Sequence, residues 1–247
     1  MLVLRTGDDA SYVARWELDG VSGVVVAVDV LRAFTTAAYA FAAGASSIWL
    51  VGTVEEALAL GRAIPGSLVM GEEHGRRPPG FDLSNSPVKV ARADVAGRVL
   101  VQRTSAGTQG VIAATSADRL FAASLVCASA TAAAIRNSEL GPPTYVITGR
   151  FRDEPDGGED DLLTARLIER ARTGRPLAAT ATADAVARSP EAARTLAVGD
   201  GHVHPDDITY ATAVDRFDFA MEVERVDGGL RLVRRNTDHR LSAGSLA

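Results

Sequence analysis

The stretch Val24-Val25-Val26-Ala27-Val28-Asp29-Val30-Leu31-Arg32-Ala33-Phe34-Thr35-Thr36 contains the change of pattern that decides the fold. Its first part is a short β-branched run, which is typical of a strand buried on both faces. The Ala-rich sequence that follows, from Ala33 to Ala43, favours a helix. A polar turn lies between the two. The unit is therefore the strand, turn and helix of an α/β protein.

The same alternation continues along most of the chain. The predicted strands are Ser22–Asp29, Ser47–Val51, Ser67–Gly71, Arg98–Arg103, Arg119–Ser124 and Thr144–Thr148. The predicted helices between them are Ala33–Ala43, Val54–Ile64, Gly107–Ala117, Ser129–Glu139 and Asp160–Arg172. Thr53 and Glu56 have the spacing of a capping box for the second helix. Strands that alternate with helices predict a three-layer α/β/α fold with a mostly parallel sheet.

Two of these strand–helix–strand units resemble each other. A gapless alignment places Thr36 on Thr108 and Trp49 on Phe121. Similarity at a fixed offset suggests an internal duplication within one sheet. The alternative is that any two units of this kind can be aligned in this way.

The last part of the chain has a different pattern. Residues Ala178 to Asp200 are rich in Ala and predict helix, with Ser189 and Pro190 suited to a helix start. Asp227-Gly228-Gly229 then predicts an antiparallel hairpin that closes the sheet. Its strands are expected at Phe217–Val226 and Leu230–Arg234. We expect residues 1–236 to form a single domain and residues 237–247 to be a flexible tail.

Composition limits the classes of partner. With 247 residues, 47% hydrophobic residues, 23% charged residues and a net charge of −5, the chain is typical of a globular protein without general attraction for nucleic acid or membranes. An anionic substrate must therefore be bound by a local basic site. The chain shows no signal peptide and no apolar run of about 18 residues, so we expect a cytoplasmic location. Cys127 lies in an apolar run, which favours a buried structural thiol.

Ligands of open α/β sheets bind beyond the carboxyl ends of the strands, where this chain is unusually polar. Asp29 follows the first predicted strand and suits a magnesium ligand or a phosphoryl acceptor. Arg32 follows it and could bind an anion with a two-pronged guanidinium. The alternative interpretation is a helix cap with a surface arginine. Glu72 follows another strand and begins a long loop to Pro87. Its carboxylate could bind a metal or activate water, and the alternative is that the loop is a solvated lid without a chemical role.

Two further segments carry polar groups at helix starts. Between Gln102 and Gly110, small residues would let backbone N–H groups approach a phosphate, although a capped helix is the alternative. The segment matches neither the Walker loop nor the dinucleotide signature. Glu159-Asp160-Asp161 opens a later helix, where acids favour the helix dipole or a hard divalent cation. No His or Cys spacing supports zinc.

In order and spacing, four motifs resemble the 2-phosphosulfolactate phosphatase family of coenzyme M biosynthesis. They are Asp29–Thr36, Gly80–Pro87, Gln102–Thr108 and Glu159–Asp161. The resemblance extends from about Val24 to Val233 and implies magnesium-dependent hydrolysis of an α-phosphoester on a small carboxylate with a second anionic group. Leu163, Ala106 and Ser84 depart from the family pattern. These departures bear on the identity of the substrate more than on the type of reaction.

Strand-tip position and resemblance together give the candidate site. The predicted catalytic residues are Asp29, Glu72 and Arg32. The predicted ligands of Mg²⁺ are Asp29, Glu72, Glu159 and Asp160. The predicted substrate-binding residues are Arg32, Asn85, Arg103, Thr104, Ser105, Gly107 and Thr108.

Two other functions are compatible with these residues. A haloacid-dehalogenase-type phosphatase also begins with an aspartate after the first strand, but its second aspartate corresponds to Leu31 here. A non-catalytic protein that binds anionic metabolites could use the same loops. The expected partner in each case is a small anionic molecule, such as a phosphoester. The sequence leaves the oligomeric state open, with a homodimer as one alternative.

Overall fold

The computed structural model describes residues 9–199 and 201–236, so the predicted tail lies outside the described residues. The described strands are β1 (Ser11–Val13), β2 (Val24–Val28), β3 (Ser47–Leu50), β4 (Leu68–Gly71), β5 (Leu83–Ser84), β6 (Val99–Arg103), β7 (Arg119–Ala123), β8 (Thr144–Ile147), β9 (Phe219–Val226) and β10 (Gly229–Asn236). The α-helices are α1 (Ala33–Ala42), α2 (Val54–Ala63), α3 (Pro87–Ala91), α4 (Gly107–Ala113), α5 (Ala128–Asn137), α6 (Glu159–Arg172), α7 (Ala179–Ala187), α8 (Pro190–Ala197) and α9 (Asp207–Ala211).

The strands form one mixed sheet in the order β1-β8-β2-β7-β9-β10-β3-β6-β4-β5. The first four strands are parallel to one another, as are the last four. Between these two parallel halves lies the antiparallel hairpin β9–β10, which also pairs antiparallel with β7 and β3. The mostly parallel sheet and the C-terminal antiparallel hairpin confirm the predicted fold class.

The predicted antiparallel hairpin forms, and it lies in the middle of the sheet, where it joins the two parallel halves. Its apolar residues Phe219, Met221 and Val223 face the same core as β3 and β7, while Glu222 on the other face pairs with Arg119. Burial of this one apolar face, together with paired hydrogen-bonding edges on both sides, accounts for the central position.

Helices cover both faces of the sheet, which gives the three layers. One face packs against α1, α3 and α4. The other packs against α5 and α6 over the first half and against α2 over the second. Alternating residues of each strand enter opposite cores: in β2, Val25 contributes to the first core and Val26 to the second. The parallel strands β2, β7 and β8 are buried on both sides, as their continuous apolar runs predicted.

The sheet curves around α1, whose first nine residues of ten are buried. In a flat sheet the five steps from β2 to β6 would separate these strands by roughly 24 Å. The four Cα-to-Cα steps from Arg103 to Gly107 can span at most about 14 Å. Nevertheless, a Cβ at Gly107 would lie 2.7 Å from a carboxylate oxygen of Asp29, directly after β2. The curvature therefore brings strand ends of the two halves together.

The two aligned strand–helix–strand units cross between the halves in opposite directions. The unit β2–α1–β3 leads from the first half to the second, and β6–α4–β7 leads back. Helix α4 ends at Ala113, four residues before the predicted end, because the chain must turn to reach β7. The N–H of Asp118 already bonds to the carbonyl of Gly23, at the start of the β2–β7 pairing.

Local capping signals are confirmed in two helices. Thr53 Oγ1 accepts the N–H of Glu56 at 3.1 Å, and the Glu56 carboxylate accepts the N–H of Thr53 at 3.0 Å. Ser189 caps α8 through the N–H of Ala192, so the Ala-rich segment forms two helices. Among the described residues, no helix has the length and apolar character needed to cross a membrane.

Candidate active site

One crevice of about 710 Å³ lies where the carboxyl ends of β2, β4, β6 and β8 meet. Its volume suits a small-molecule ligand. The predicted site residues that line it are Asp29, Arg32, Glu72, Asn85, Arg103, Ser105 and Asp160. Residues predicted from four separate motifs therefore share one cavity, as the strand-tip argument required.

Asp29 lies at the base of the crevice, directly after β2, and is 5% exposed. One carboxylate oxygen accepts the N–H of Ala33 at 2.8 Å. Burial raises the pKa of Asp29 to about 6, with a smaller upward contribution from the charge of Glu72, while the N–H groups of Ala33 and Gly107 act in the opposite direction. Gly107 is needed here because a Cβ would lie 2.7 Å from the other carboxylate oxygen.

Asp160 brings a second buried carboxyl group to the crevice from the first turn of α6. Burial raises its pKa to about 8, and the charges of Glu191 and Asp29 add to the shift. The two aspartates, from different motifs, therefore interact electrostatically. In the absence of a cation, both are poorly stabilised as anions.

The other two acids of the same motif have different surroundings. Asp161 accepts the N–H groups of Val30 at 2.9 Å and Gly149 at 2.8 Å, so its carboxylate ties α6 to the ends of β2 and β8. Glu159 is exposed and does not line the crevice. The structure thus brings Asp160, but not Glu159, together with Asp29. The predicted role of Glu159 as a metal ligand stays a prediction.

Glu72 links two loops of the crevice. Its carboxylate accepts the N–H and hydroxyl of Ser105, and also the N–H of Gly75 at 2.6 Å. These bonds hold the loop after β4 against the loop after β6. The carboxylate lines the crevice, but most of its acceptor capacity serves this link.

Both predicted arginines face the crevice and are already paired with carboxylates. Arg32 is 4% exposed, and its Nη1 lies 2.9 Å from Oδ2 of Asp207 and 3.0 Å from the carbonyl oxygen of His202. Arg103 donates to the Glu72 carbonyl oxygen at 2.8 Å and lies 3.1 Å from a carboxylate oxygen of Glu73. Each guanidinium is therefore held in a defined orientation by the protein.

Three remaining predicted residues differ in their access to the cavity. Thr104 and Thr108 cap the start of α4 reciprocally: each side-chain oxygen accepts the other's N–H, at 3.0 and 2.9 Å. Both are buried and outside the cavity lining, so they shape the loop. Asn85 is 3% exposed and lines the crevice, and its side-chain carbonyl oxygen has no hydrogen-bond partner within the described part of the chain.

The structure adds three residues that the sequence did not indicate. Arg15 and Glu191 line the crevice, and Asp207 orients Arg32 from behind. Arg15 precedes the first predicted strand, and Glu191 and Asp207 lie in the C-terminal helical segment. Each is a single charged residue without a local motif. The acidic pair Asp206-Asp207 was the one signal available, and it resembles an ordinary helix start.

The donors in the crevice are those that a hard cation prefers. Carboxyl and amide oxygens face the cavity, and Cys127 is buried outside its lining, where burial raises the thiol pKa. Within residues 9–199 and 201–236, no three His, Cys, Asp or Glu side chains are already arranged as a metal site. Magnesium commonly uses one or two carboxylates together with water and substrate phosphate. Asp29 and Asp160 fit that smaller set.

Comparison with known proteins finds similar sequences over most of the chain. The family described as 2-phosphosulpholactate phosphatase matches residues 12–225. A Bacillus subtilis protein named "Probable 2-phosphosulfolactate phosphatase" is 31% identical over 211 residues, covering 85% of this chain and 90% of its own. A protein of the same name from Parasynechococcus marenigrum is 32% identical, covering 82% and 90%. One from Thermus thermophilus is 39% identical, covering 59% and 60%. This chain therefore belongs to the 2-phosphosulfolactate phosphatase family.

Proposed function

We propose that this protein is a magnesium-dependent phosphatase that hydrolyses 2-phosphosulfolactate, or a similar small anionic 2-phospho-hydroxy acid, to the hydroxy acid and phosphate. The observation that carries the proposal is the meeting of Asp29 and Asp160 with two oriented arginines in one crevice. Family membership supports the reaction type. The names of the relatives support the substrate.

The charge of the crevice supports a requirement for a cation. Seven acidic residues line it, against four arginines; the acids are Asp29, Glu72, Asp153, Glu154, Asp160, Asp161 and Glu191, and the arginines are Arg15, Arg32, Arg103 and Arg194. Repulsion between these acids contributes to the raised pKa values of Asp29 and Asp160, so the crevice is poorly suited to hold both as anions without a cation. A divalent cation held by Asp29 and Asp160 would reverse the local charge and neutralise the phosphoryl oxygens.

The protein's own groups supply orientation. Arg32 and Arg103 offer charge-assisted hydrogen bonds to phosphoryl oxygens, and their carboxylate partners fix the direction of each guanidinium. The backbone of the Ser105–Gly107 loop lies beside Asp29 at the start of α4 and can approach phosphate closely. Phosphoryl transfer depends chiefly on such positioning and on neutralisation of charge. Whether Asp29 also accepts the phosphoryl group is a separate question that trapping of a phosphoenzyme would answer.

A substrate panel tests the proposal. Phosphate release from 2-phosphosulfolactate and 2-phospholactate should require Mg²⁺ and stop with a chelator. Calorimetric titration should show Mg²⁺ binding to the wild-type protein and loss of that binding in Asp29→Asn and Asp160→Asn. Full turnover in chelator would contradict the metal assignment.

The neighbouring acid provides a matched control. Because Glu159 is exposed outside the crevice, Glu159→Gln should bind Mg²⁺ like the wild type, whereas Asp160→Asn should not. Loss of binding in both variants would restore Glu159 as a ligand. Binding of the phosphoesters without release of phosphate, with Mg²⁺ present, would favour a non-catalytic protein that binds anionic metabolites.

A further inference from the structure

We propose that Arg15 is a specificity-determining residue that binds the anionic group of the substrate farthest from the phosphoester, a sulfonate in 2-phosphosulfolactate. This inference rests on the proposed function and adds a subsite to it. Arg15 precedes β2 and belongs to none of the four motifs that identified the site.

Two contacts hold Arg15 in the wall of the crevice. Its Nη1 donates to the carbonyl oxygen of Ser105 at 3.1 Å, and its guanidinium carbon lies 5.0 Å from the centre of the Phe151 ring. Ser105 and Phe151 also line the crevice. The first contact places the charge next to the loop that starts α4, and the second packs the guanidinium over the Phe151 ring. The guanidinium of Arg15 is therefore preorganised to bind an anion.

Arg15 differs from the other three crevice arginines in its pairing, because each of those three has a carboxylate partner. Arg32 pairs with Asp207 at 2.9 Å, Arg103 with Glu73 at 3.1 Å and Arg194 with Glu154 at 2.5 Å. Within the described part of the chain, Arg15 forms no ion pair, and its hydrogen bond to Ser105 uses one of five N–H groups.

A half-buried guanidinium without a counter-ion is poorly compensated. Burial lowers the pKa of Arg15, which is the direction expected where a charge has lost water and has not gained an anion. An anionic group of the ligand would supply the missing partner and a two-pronged hydrogen bond. With the cation and phosphate assigned to Asp29 and Asp160, we assign the second anion of the substrate to Arg15, the crevice arginine that has no carboxylate partner among the described residues.

Paired substrates test the assignment. 2-Phosphosulfolactate carries the sulfonate, and 2-phospholactate lacks it but keeps phosphate and carboxylate. In Arg15→Gln, we expect kcat/KM for 2-phosphosulfolactate to fall about ten- to hundredfold, which corresponds to the loss of one charge-assisted contact. For 2-phospholactate we expect less than about a threefold change. Arg15→Lys should lie between, because lysine keeps the charge but loses the fork.

Arg152 offers a matched control. It is exposed, lies outside the crevice lining, and stacks on Trp16 at 5.4 Å, so Arg152→Gln also removes one guanidinium and one ring contact. It should leave both substrates unaffected. Circular dichroism and melting temperature should show that each variant is folded.

Calorimetric binding of both phosphoesters to wild type and Arg15→Gln, with Mg²⁺ present, separates this inference from the proposed function. Lack of turnover by the wild type would overturn the proposed function, and the binding ratio would still decide the role of Arg15. Equal losses for both ligands, no loss for either, or a wild type that does not prefer the sulfonate would each overturn the assignment.

Discussion

The buried ion pair between Arg32 and Asp207 gives a quantitative prediction for Asp207→Asn. The side chains of the pair are 3% and 0% exposed, and Asp207 also accepts the hydroxyl of Ser86 at 2.6 Å and the N–H of His204 at 2.9 Å. Removing one partner of a buried pair leaves an uncompensated charge, which costs about 3–5 kcal/mol. We expect the free energy of unfolding, measured by equilibrium urea denaturation, to fall by that amount, with a melting temperature lower by roughly 10 °C.

Two further variants serve as controls for this prediction. Arg194→Gln breaks a pair of similar geometry whose side chains are 57% and 45% exposed, so its cost should stay below about 1 kcal/mol. In the double variant Arg32→Met with Asp207→Asn, neither charge of the pair remains, so the loss should be smaller than the sum of the single losses. The reasoning would be refuted if Asp207→Asn lowered the free energy of unfolding no more than Arg194→Gln does. Strict additivity of the two single losses in the double variant would also refute it.

Three further predictions follow from the surroundings of individual residues. Arg32→Lys and Arg103→Lys should each lower kcat/KM about ten- to hundredfold, because lysine lacks the two-pronged donor; wild-type kinetics in both, with unchanged circular dichroism, would remove these arginines from substrate binding. Cys127→Ser should keep its turnover rate and lose stability, since the thiol is buried outside the crevice, and loss of turnover in a folded variant would make the thiol catalytic. Without Mg²⁺, stability should fall between about pH 4 and pH 8, because the Asp160 pKa is raised from 3.8 to about 8 and the folded state then holds a proton that the unfolded state releases. Melting temperatures of Asp160→Asn should depend less on pH over this range, and an unchanged slope would contradict that cause.

Periodicity and capping chemistry were sufficient to predict most elements, because these signals are local. Helix α1 ends one residue before its predicted end, and the hydrogen bonds of Thr53 and Glu56 form as their spacing indicated. The position of β9–β10 in the sheet was not predictable in this way. The Asp-Gly-Gly turn specifies a hairpin, whereas its neighbours β7 and β3 are set by packing of residues far apart in the sequence.

The candidate site also contains residues that local sequence signals indicate and residues that only the tertiary structure brings together. Asp29 and Arg103 could be placed at the crevice from the sequence because they lie at strand ends, a position that the apolar runs predict. Arg15 and Asp207 could not be placed at the crevice from the sequence, because their positions depend on contacts with residues distant in the chain, Ser105 in one case and Arg32 in the other. Glu159 was predicted from the same motif as Asp160, but only Asp160 is buried and lines the cavity. Glu159 is exposed and lies outside the cavity lining.

The central hairpin has a consequence for synthesis on the ribosome. The residues that line the crevice are made before β9 and β10, yet among the described strands only this hairpin links the two halves of the sheet through strand pairing. While the chain grows, β7 and β3 each present an open edge, a state that invites pairing with other chains. The nascent protein thus carries a full set of active-site residues but no assembled site. Arrival of the hairpin closes both edges at once, so protection from aggregation and the onset of activity should coincide in one folding event.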